Sequence, residues 1–333
     1  MRINVALQGG GSHGAFTWGT LDRLLEEDDL DIPAIVGTSA GAINATLLAA
    51  GLASGSRQGA RDLLARFWQR LADIGRGPLP WSVPGWPAFP FPGSPSTLGW
   101  VAVEMWSRLF SPYQFNPFGW NPVRDLLRDL VPFEAMRAGE TQLFLCATNV
   151  LTGKLRVFET PEIGPDHVLA SACLPTLFQA VQIGEEYFWD GGYMGNPAIF
   201  PLIYHTTCSD VLIVHINPVS IEGVPTTPLE ISDRINTLSF NSSLHRELRA
   251  IEFVSRLVED GALDEARFRR LNIHVVEAED VLRGLGALSK FNTDPSFIGK
   301  LHALGRARMD DWLARHREDV GHRSSVDVRS AFV

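Results

Sequence analysis

The sequence predicts an α/β protein with a largely parallel sheet, and three stretches predict it. Residues 3–7 are a short apolar run that breaks at a glycine loop into a helix-spaced segment. Residues 34–36 do the same at a second glycine-flanked turn, and residues 210–215 are almost continuously apolar, the pattern of a strand covered on both faces. At 333 residues, with 45% apolar and 20% charged content, the chain has ample core for one large or two modest domains. No apolar run nears the ~20 residues of a membrane span. The N-terminus enters its first strand without the apolar stretch of a signal peptide, so a cytoplasmic location is expected. Net charge of −9 argues against nucleic acid as a general partner. Cys146, Cys173 and Cys208 are odd in number and set among apolar residues, which suggests reduced thiols and neither a disulfide framework nor a metal site.

The first strand ends at Gln8-Gly9-Gly10-Gly11-Ser12-His13-Gly14, and residues 15–26 follow with helical spacing of Phe16, Leu21, Leu24 and Leu25. The loop matches G-x-G-x-x-G, but a dinucleotide site needs an acidic residue ending the second strand. Here that strand runs into Gly37-Thr38-Ser39 instead. Consecutive glycines expose backbone N–H groups along one loop edge, which suits them to an oxyanion formed beside the end of an adjacent parallel strand.

Residues 35–43 supply what such a loop would serve. Ile35-Val36-Gly37-Thr38-Ser39-Ala40-Gly41 reads as a nucleophile elbow, in which Gly37 and Gly41 leave room for an abrupt strand-to-helix reversal. Ser39 stands at its apex, at the N-terminus of the following helix, where free N–H groups favour negative charge. Only one strand precedes the elbow, which excludes the α/β-hydrolase fold. Residues 40–50 and 57–71 read as helices, the first small and uncharged as if buried behind a nucleophile.

Residues 77–122 change character. Prolines are dense, aromatics from Trp81 to Trp120 cluster, and the only charges are Glu104 and Arg108. This apolar area needs a cover, so the segment reads as a lid over an apolar site, or as an irregular stretch packed on the core, with a short helix at 101–110. A helix follows at 122–130, then a hairpin of strands at 142–149 and 154–160, which makes the sheet mixed. Residues 166–172 read as a helix capped by Asp166, leading into the small-residue run 170–175 closed by Pro175. A hairpin over 181–189, turning at Gly184-Glu185, delivers Asp190-Gly191-Gly192. Asp190 follows Tyr187-Phe188-Trp189, which would desolvate its carboxylate, and precedes two free glycine N–H groups. It reads as a poised base or as an ordinary turn aspartate.

The remainder reads as scaffold: a helix over 231–259 with Ile235, Leu238, Leu248, Ile251, Val254, Leu257 and Val258 inward, a strand at 272–277, and a helix over 296–317 capped at Asp294. The tail from Glu318 is expected to be loosely held.

Three separated motifs, Gly9-Gly10-Gly11-Ser12-His13-Gly14, Gly37-Thr38-Ser39-Ala40-Gly41 and Asp190-Gly191-Gly192, together resemble the patatin-like phospholipases. The resemblance spans residues 3–217 and includes the 170–175 run before the aspartate. It implies a three-layer α/β/α fold with a mostly parallel central sheet, a catalytic domain over 1–217 carrying 77–122 as a lid-like insertion, and a mostly helical C-terminal extension over 218–333 packed on it. It also implies a Ser-Asp dyad, Ser39 as nucleophile and Asp190 as general base, with Gly9, Gly10, Gly11 and Ala40 as the oxyanion hole. Gly14, Gly37, Gly41, Gly191 and Gly192 support these motifs, and no metal or cofactor is called for. His13 departs from the arginine or lysine usual in the family's glycine loop. The implied activity is hydrolysis of phospholipid or lysophospholipid esters, with peripheral contact at a membrane, lipid-droplet or granule surface. An esterase, thioesterase or storage-polyester depolymerase would use the same dyad, and a non-catalytic lipid-binding module would keep the fold without it.

Overall fold

Strand β1 (Asn4–Leu7) is buried throughout and pairs in parallel with β2 (Ala34–Thr38) on one side and β7 (Asp210–His215) on the other. A computed structural model describes residues 1–76, 110–264 and 267–332. The expected helix at 101–110 and most of the aromatic segment 77–122 lie outside the described residues. Strand β3 (Gln142–Asn149) continues the parallel set beside β2, and β8 (Asn272–Glu277) continues it beside β7. Antiparallel strands β4 (Leu155–Glu159), β5 (Val181–Ile183) and β6 (Glu186–Asp190) complete one sheet in the order β5-β6-β3-β2-β1-β7-β8, with β4 on β3.

Side chains alternate across the sheet, and both faces are apolar. Val5, Leu7, Ile35, Leu143, Leu145, Leu212 and Val214 share one core with helices α1 (Gly14–Leu24), α2 (Ala40–Ala53), α3 (Arg57–Arg76), α4 (Pro122–Leu130) and α5 (Pro165–Ser171). Ala6, Ala34, Val36, Phe144, Cys146, Val211 and Ile213 point into a second core with α6 (Phe200–His205) and the long α7 (Pro228–Glu259). The closing helix α8 (Pro295–His316) lies on the first face and the short α9 (Val328–Phe332) on the second. This is the three-layer arrangement, forced by a sheet with no polar face to give to water. Among the described residues no helix is long and apolar enough to cross a membrane.

Three local expectations are corrected. Helix α5 is capped by Gly164, with Pro165 in its first turn; Asp166 instead accepts from Arg124. Ile235 and Leu238 of α7 are exposed, because that half of the helix turns Phe240, Asn241, Ser243 and Leu244 inward. The tail is not loose: Val320, Val328 and Phe332 are buried, and Ser325 N–H donates to the Ile273 carbonyl on the edge of β8. Beyond residue 217 the chain is mostly helical, and the strand expected at 272–277 is β8, which extends the same sheet.

Candidate active site

The site arises where two strands run into each other. Phe144, Leu145 and Cys146 of β3 pair with both β2 and β4, while Ala147 and Thr148 pair with both β4 and β6. A strand has two edges, so β2 and β6 share one of them and approach from opposite directions. β2 ends at Thr38 opposite Cys146, and β6 ends at Asp190 opposite Ala147. The two strand ends, Thr38 and Asp190, are thus one residue apart along β3, which brings Ser39 and Asp190 to a single junction.

Close backbone approach makes the glycines at this junction necessary. A Cβ on Gly41 would stand 2.1 Å from the Leu7 carbonyl oxygen, and one on Gly191 would stand 2.1 Å from that of Cys146. Gly37 faces Gly41 across the elbow, and Gly14 faces Ala40 at the start of α2. Gly192 lies under the Phe240 ring of α7. Ser39 itself sits at φ 57° and ψ −125°, the one described non-glycine residue with positive φ. Its N–H donates to Ser171 Oγ at 3.0 Å, so α5 holds the elbow from below. Thr38 Oγ1 donates to the Gly195 carbonyl at 2.7 Å and ties the elbow to the Asp-Gly-Gly turn.

Asp190 is fully buried and its N–H donates to the Cys173 carbonyl at 2.8 Å. Oδ1 accepts from Gly192 N–H at 2.7 Å, whereas buried Oδ2 has no hydrogen bond of full geometry among the described residues. Burial pushes the carboxyl up to about 6, partly offset by the nearby Ser39 hydroxyl, the Gly192 N–H and the Lys290 cation. Phe188, two residues back on the same face, is buried; Tyr187 points outward at 38% exposure, so it is not a principal desolvating ring. Burial and the Asp190 charge push Cys173 and Tyr193 to about 12, which keeps both protonated.

The glycine loop is held from both sides. Gly9 N–H donates to Asn196 Oδ1 and its carbonyl accepts from Asn217 Nδ2, each at 2.7 Å. The N–H of Gly9, one of the expected oxyanion donors, is thus already paired within the chain. Gly10, Gly11 and Ala40 have no N–H acceptor among the described residues, and Ala40 opens α2, where such groups are free by position. Buried Gln8 accepts from the N–H groups of Ile216 and Asn217 and donates to Asn241, which fixes the end of β1 to the end of β7. Asn196, Asn217, Ser171 and Lys290 hold this junction together and were missed by the sequence reading. Ser171 lies in the small-residue run already singled out and Asn196 follows the Asp-Gly-Gly turn by four residues, while nothing local marks Asn217 or Lys290. His13 is buried with its Nε2 2.7 Å from Ser289 Oγ, and burial with Lys290 repulsion brings its pKa down to about 3. His215 ends β7, buried against Phe332, and burial lowers it to about 4.

No curated protein sequence matches significantly. Among solved structures, VipD from Legionella pneumophila is 14% identical, with a TM-score of 0.44, covering 94% of this chain and 67% of its own. The type III effector ExoU is 16% identical at a TM-score of 0.34, covering 94% of this chain and 53% of ExoU. ExoU in complex with SpcU, from Pseudomonas aeruginosa, is 19% identical at a TM-score of 0.32, covering 95% and 59%. The chain thus spans about two thirds of VipD and little more than half of ExoU. The model of the patatin-like phospholipase family matches residues 5–203, well over half the chain and all three glycine motifs, and the protein belongs to that family.

Proposed function

We propose that the protein hydrolyses carboxylic ester bonds of phospholipids or lysophospholipids through Ser39 and Asp190. The observation that carries this reading is the meeting of β2 and β6 on one edge of β3, which brings a strained serine against a buried carboxylate with one uncommitted oxygen. Asp190 Oδ2 takes the Ser39 proton as Oγ attacks the ester carbonyl. The tetrahedral oxyanion is met by the N–H groups of Gly10, Gly11 and Ala40 and by the N-terminal dipole of α2. Collapse breaks the ester C–O bond, and the proton on Asp190 passes to the departing alcohol, leaving an acyl-enzyme. Water then gives a proton to Asp190 and attacks the acyl carbon; collapse returns that proton to Ser39 and releases the fatty acid.

No cofactor enters this cycle. A carboxylate of ordinary pKa is a feeble base toward a serine hydroxyl, and the desolvation of Asp190 strengthens it. The lipid is met at a membrane or lipid-particle surface, in the cytoplasm. The catalytic unit extends past residue 217, because Phe240 covers Gly192 of the Asp-Gly-Gly turn, Lys290 holds Asn217 and β8 extends the sheet.

The test is a panel of phospholipids, lysophospholipids, triacylglycerol and acyl thioesters offered to the wild type and Ser39→Ala. Release of fatty acid from the first two classes, abolished by Ser39→Ala, is expected. Cleavage confined to triacylglycerol or thioesters would reject the substrate assignment, and full activity in Ser39→Ala would reject the nucleophile.

A further inference from the structure

The 3-10 turn Ala287–Phe291 is joined to the glycine loop at three points that the cycle above does not use. The Lys290 carbonyl oxygen lies 2.2 Å from where a Cβ on Gly11 would stand, so the turn packs directly on the loop backbone. His13 meets the hydroxyl of Ser289. Lys290 Nζ donates to Asn217 Oδ1 at 2.7 Å, and the same amide donates to the Gly9 carbonyl. One lysine thus reaches both ends of residues 9–11. Its ammonium lies 5.6 Å from the centroid of Phe240, the ring that covers Gly192 of the Asp190 turn. The loop's own His13 is neutral, so the positive charge of this neighbourhood is carried at position 290.

We propose that Lys290 is the positioning residue of the oxyanion loop: it fixes residues 9–11 above Ser39 through Asn217 and its own carbonyl, and it supplies the cation that His13 does not. The inference rests on the Ser39–Asp190 reading. A loop held at Gly9 and Gly11 presents the intervening N–H groups in a fixed direction, which is what preorganised stabilisation of an oxyanion requires. The cation also favours the ionised form of Asp190. Around Lys290 stand Asp190 at the end of β6, Asp233 on α7 and His13 on the loop. Around Asp190 stand also Tyr193 and Cys173, both protonated across the neutral range. An acid limb near neutrality therefore reports Asp190.

Three variants separate the clamp from the charge. The backbone carbonyl survives in all three; Lys290→Met keeps neither the Asn217 bond nor the charge, Lys290→Gln keeps a donor for Asn217 without the charge, and Lys290→Arg keeps both. The readouts are kcat and KM on a monomeric ester, the rate of fluorophosphonate labelling at Ser39, and the pH profile of kcat/KM. Lys290→Met is expected to lower kcat and the labelling rate about tenfold or more with KM little changed. Its acid limb, and that of Lys290→Gln, should move to higher pH by about one unit, while Lys290→Arg stays near the wild type. Unchanged kcat and limb in Lys290→Met, or equal damage in Lys290→Arg and Lys290→Met, would overturn the inference. If Lys290→Met does not fold, coincident limbs in Lys290→Gln and Lys290→Arg overturn it. Ser39→Ala, run alongside, keeps the two claims apart: activity there contradicts the nucleophile, whereas silent Lys290 variants beside an inactive Ser39→Ala contradict this inference alone.

Discussion

Ser39 and Asp190 both store free energy that folding elsewhere must offset. A serine at φ 57° costs on the order of 1–3 kcal/mol, and glycine would not pay it. Ser39→Gly is therefore expected to be inactive yet more stable than the equally inactive Ser39→Ala, which keeps the strained Cβ; equal melting temperatures would show that the elbow is relaxed. For Asp190, the folded carboxyl is raised from 3.8 to about 6. The folded state holds this proton more tightly than the unfolded chain, so the favourable contribution is complete below pH ~4 and is lost as pH rises through about 6. At about 1.4 kcal/mol per pH unit, the buried carboxylate costs on the order of 3 kcal/mol at neutral pH. Asp190→Asn is expected to lose 10² or more in rate, roughly the scale of a missing general base, while melting at a higher temperature above pH 6 and losing that advantage in acid. The wild-type acid limb of kcat/KM belongs near pH 6 for the same reason. A limb near pH 4, or a destabilised Asp190→Asn at neutral pH, would mean that the carboxylate is solvated.

At the scale of elements, the meeting of Ser39 and Asp190 depends on strands that end against each other and on side chains that lock the loops between them. Asn196 gives Gly9 N–H its acceptor from the turn after Asp190, so the glycine loop and the Asp-Gly-Gly turn move as one piece. Asn196→Ala leaves that buried N–H unpaired, at about 1–3 kcal/mol, and is expected to lower both the melting temperature and kcat. A normal kcat would show that Gly9 needs no anchor. The elements themselves were legible in the sequence where periodicity and glycines agree: β1, β2, β3 and β6 lie where apolar runs meet Gly9, Gly37, Gly153 and Gly191, and β7 is the almost unbroken apolar run 210–215. What escaped was orientation. The stripe of Ile235 and Leu238 has the spacing of a buried face, yet that part of α7 turns Phe240 and Asn241 inward because Asn241 must reach Gln8 and the Asn217 carbonyl. Asp166 looked like a cap because aspartate so often is one, but Pro165 already fixes the first turn one residue earlier. Ser39 and Asp190 were singled out because each sits in a glycine turn; Asn217 and Lys290 were not, since their partners lie 208 and 73 residues away.

For the whole molecule, the C-terminal third is part of the same sheet and the same cores. Val320, Val328 and Phe332 bury their side chains, and Gly321 N–H donates to Asp210 Oδ1 at the start of β7. Removing residues 318–333 is expected to destabilise the protein by on the order of 5 kcal/mol, at roughly 1.5–3 kcal/mol per buried apolar side chain. Unchanged urea unfolding after that deletion would show the tail to be dispensable. The central claim, that Ser39 is the nucleophile and Asp190 the base that activates it, is tested most directly by site-mapped fluorophosphonate labelling of the wild type and Asp190→Asn across pH 4–8. The label is expected on Ser39 alone, at a rate that falls as pH drops through about 6 and that is nearly lost at every pH in Asp190→Asn. A label on any other residue, or undiminished labelling in Asp190→Asn, would contradict it.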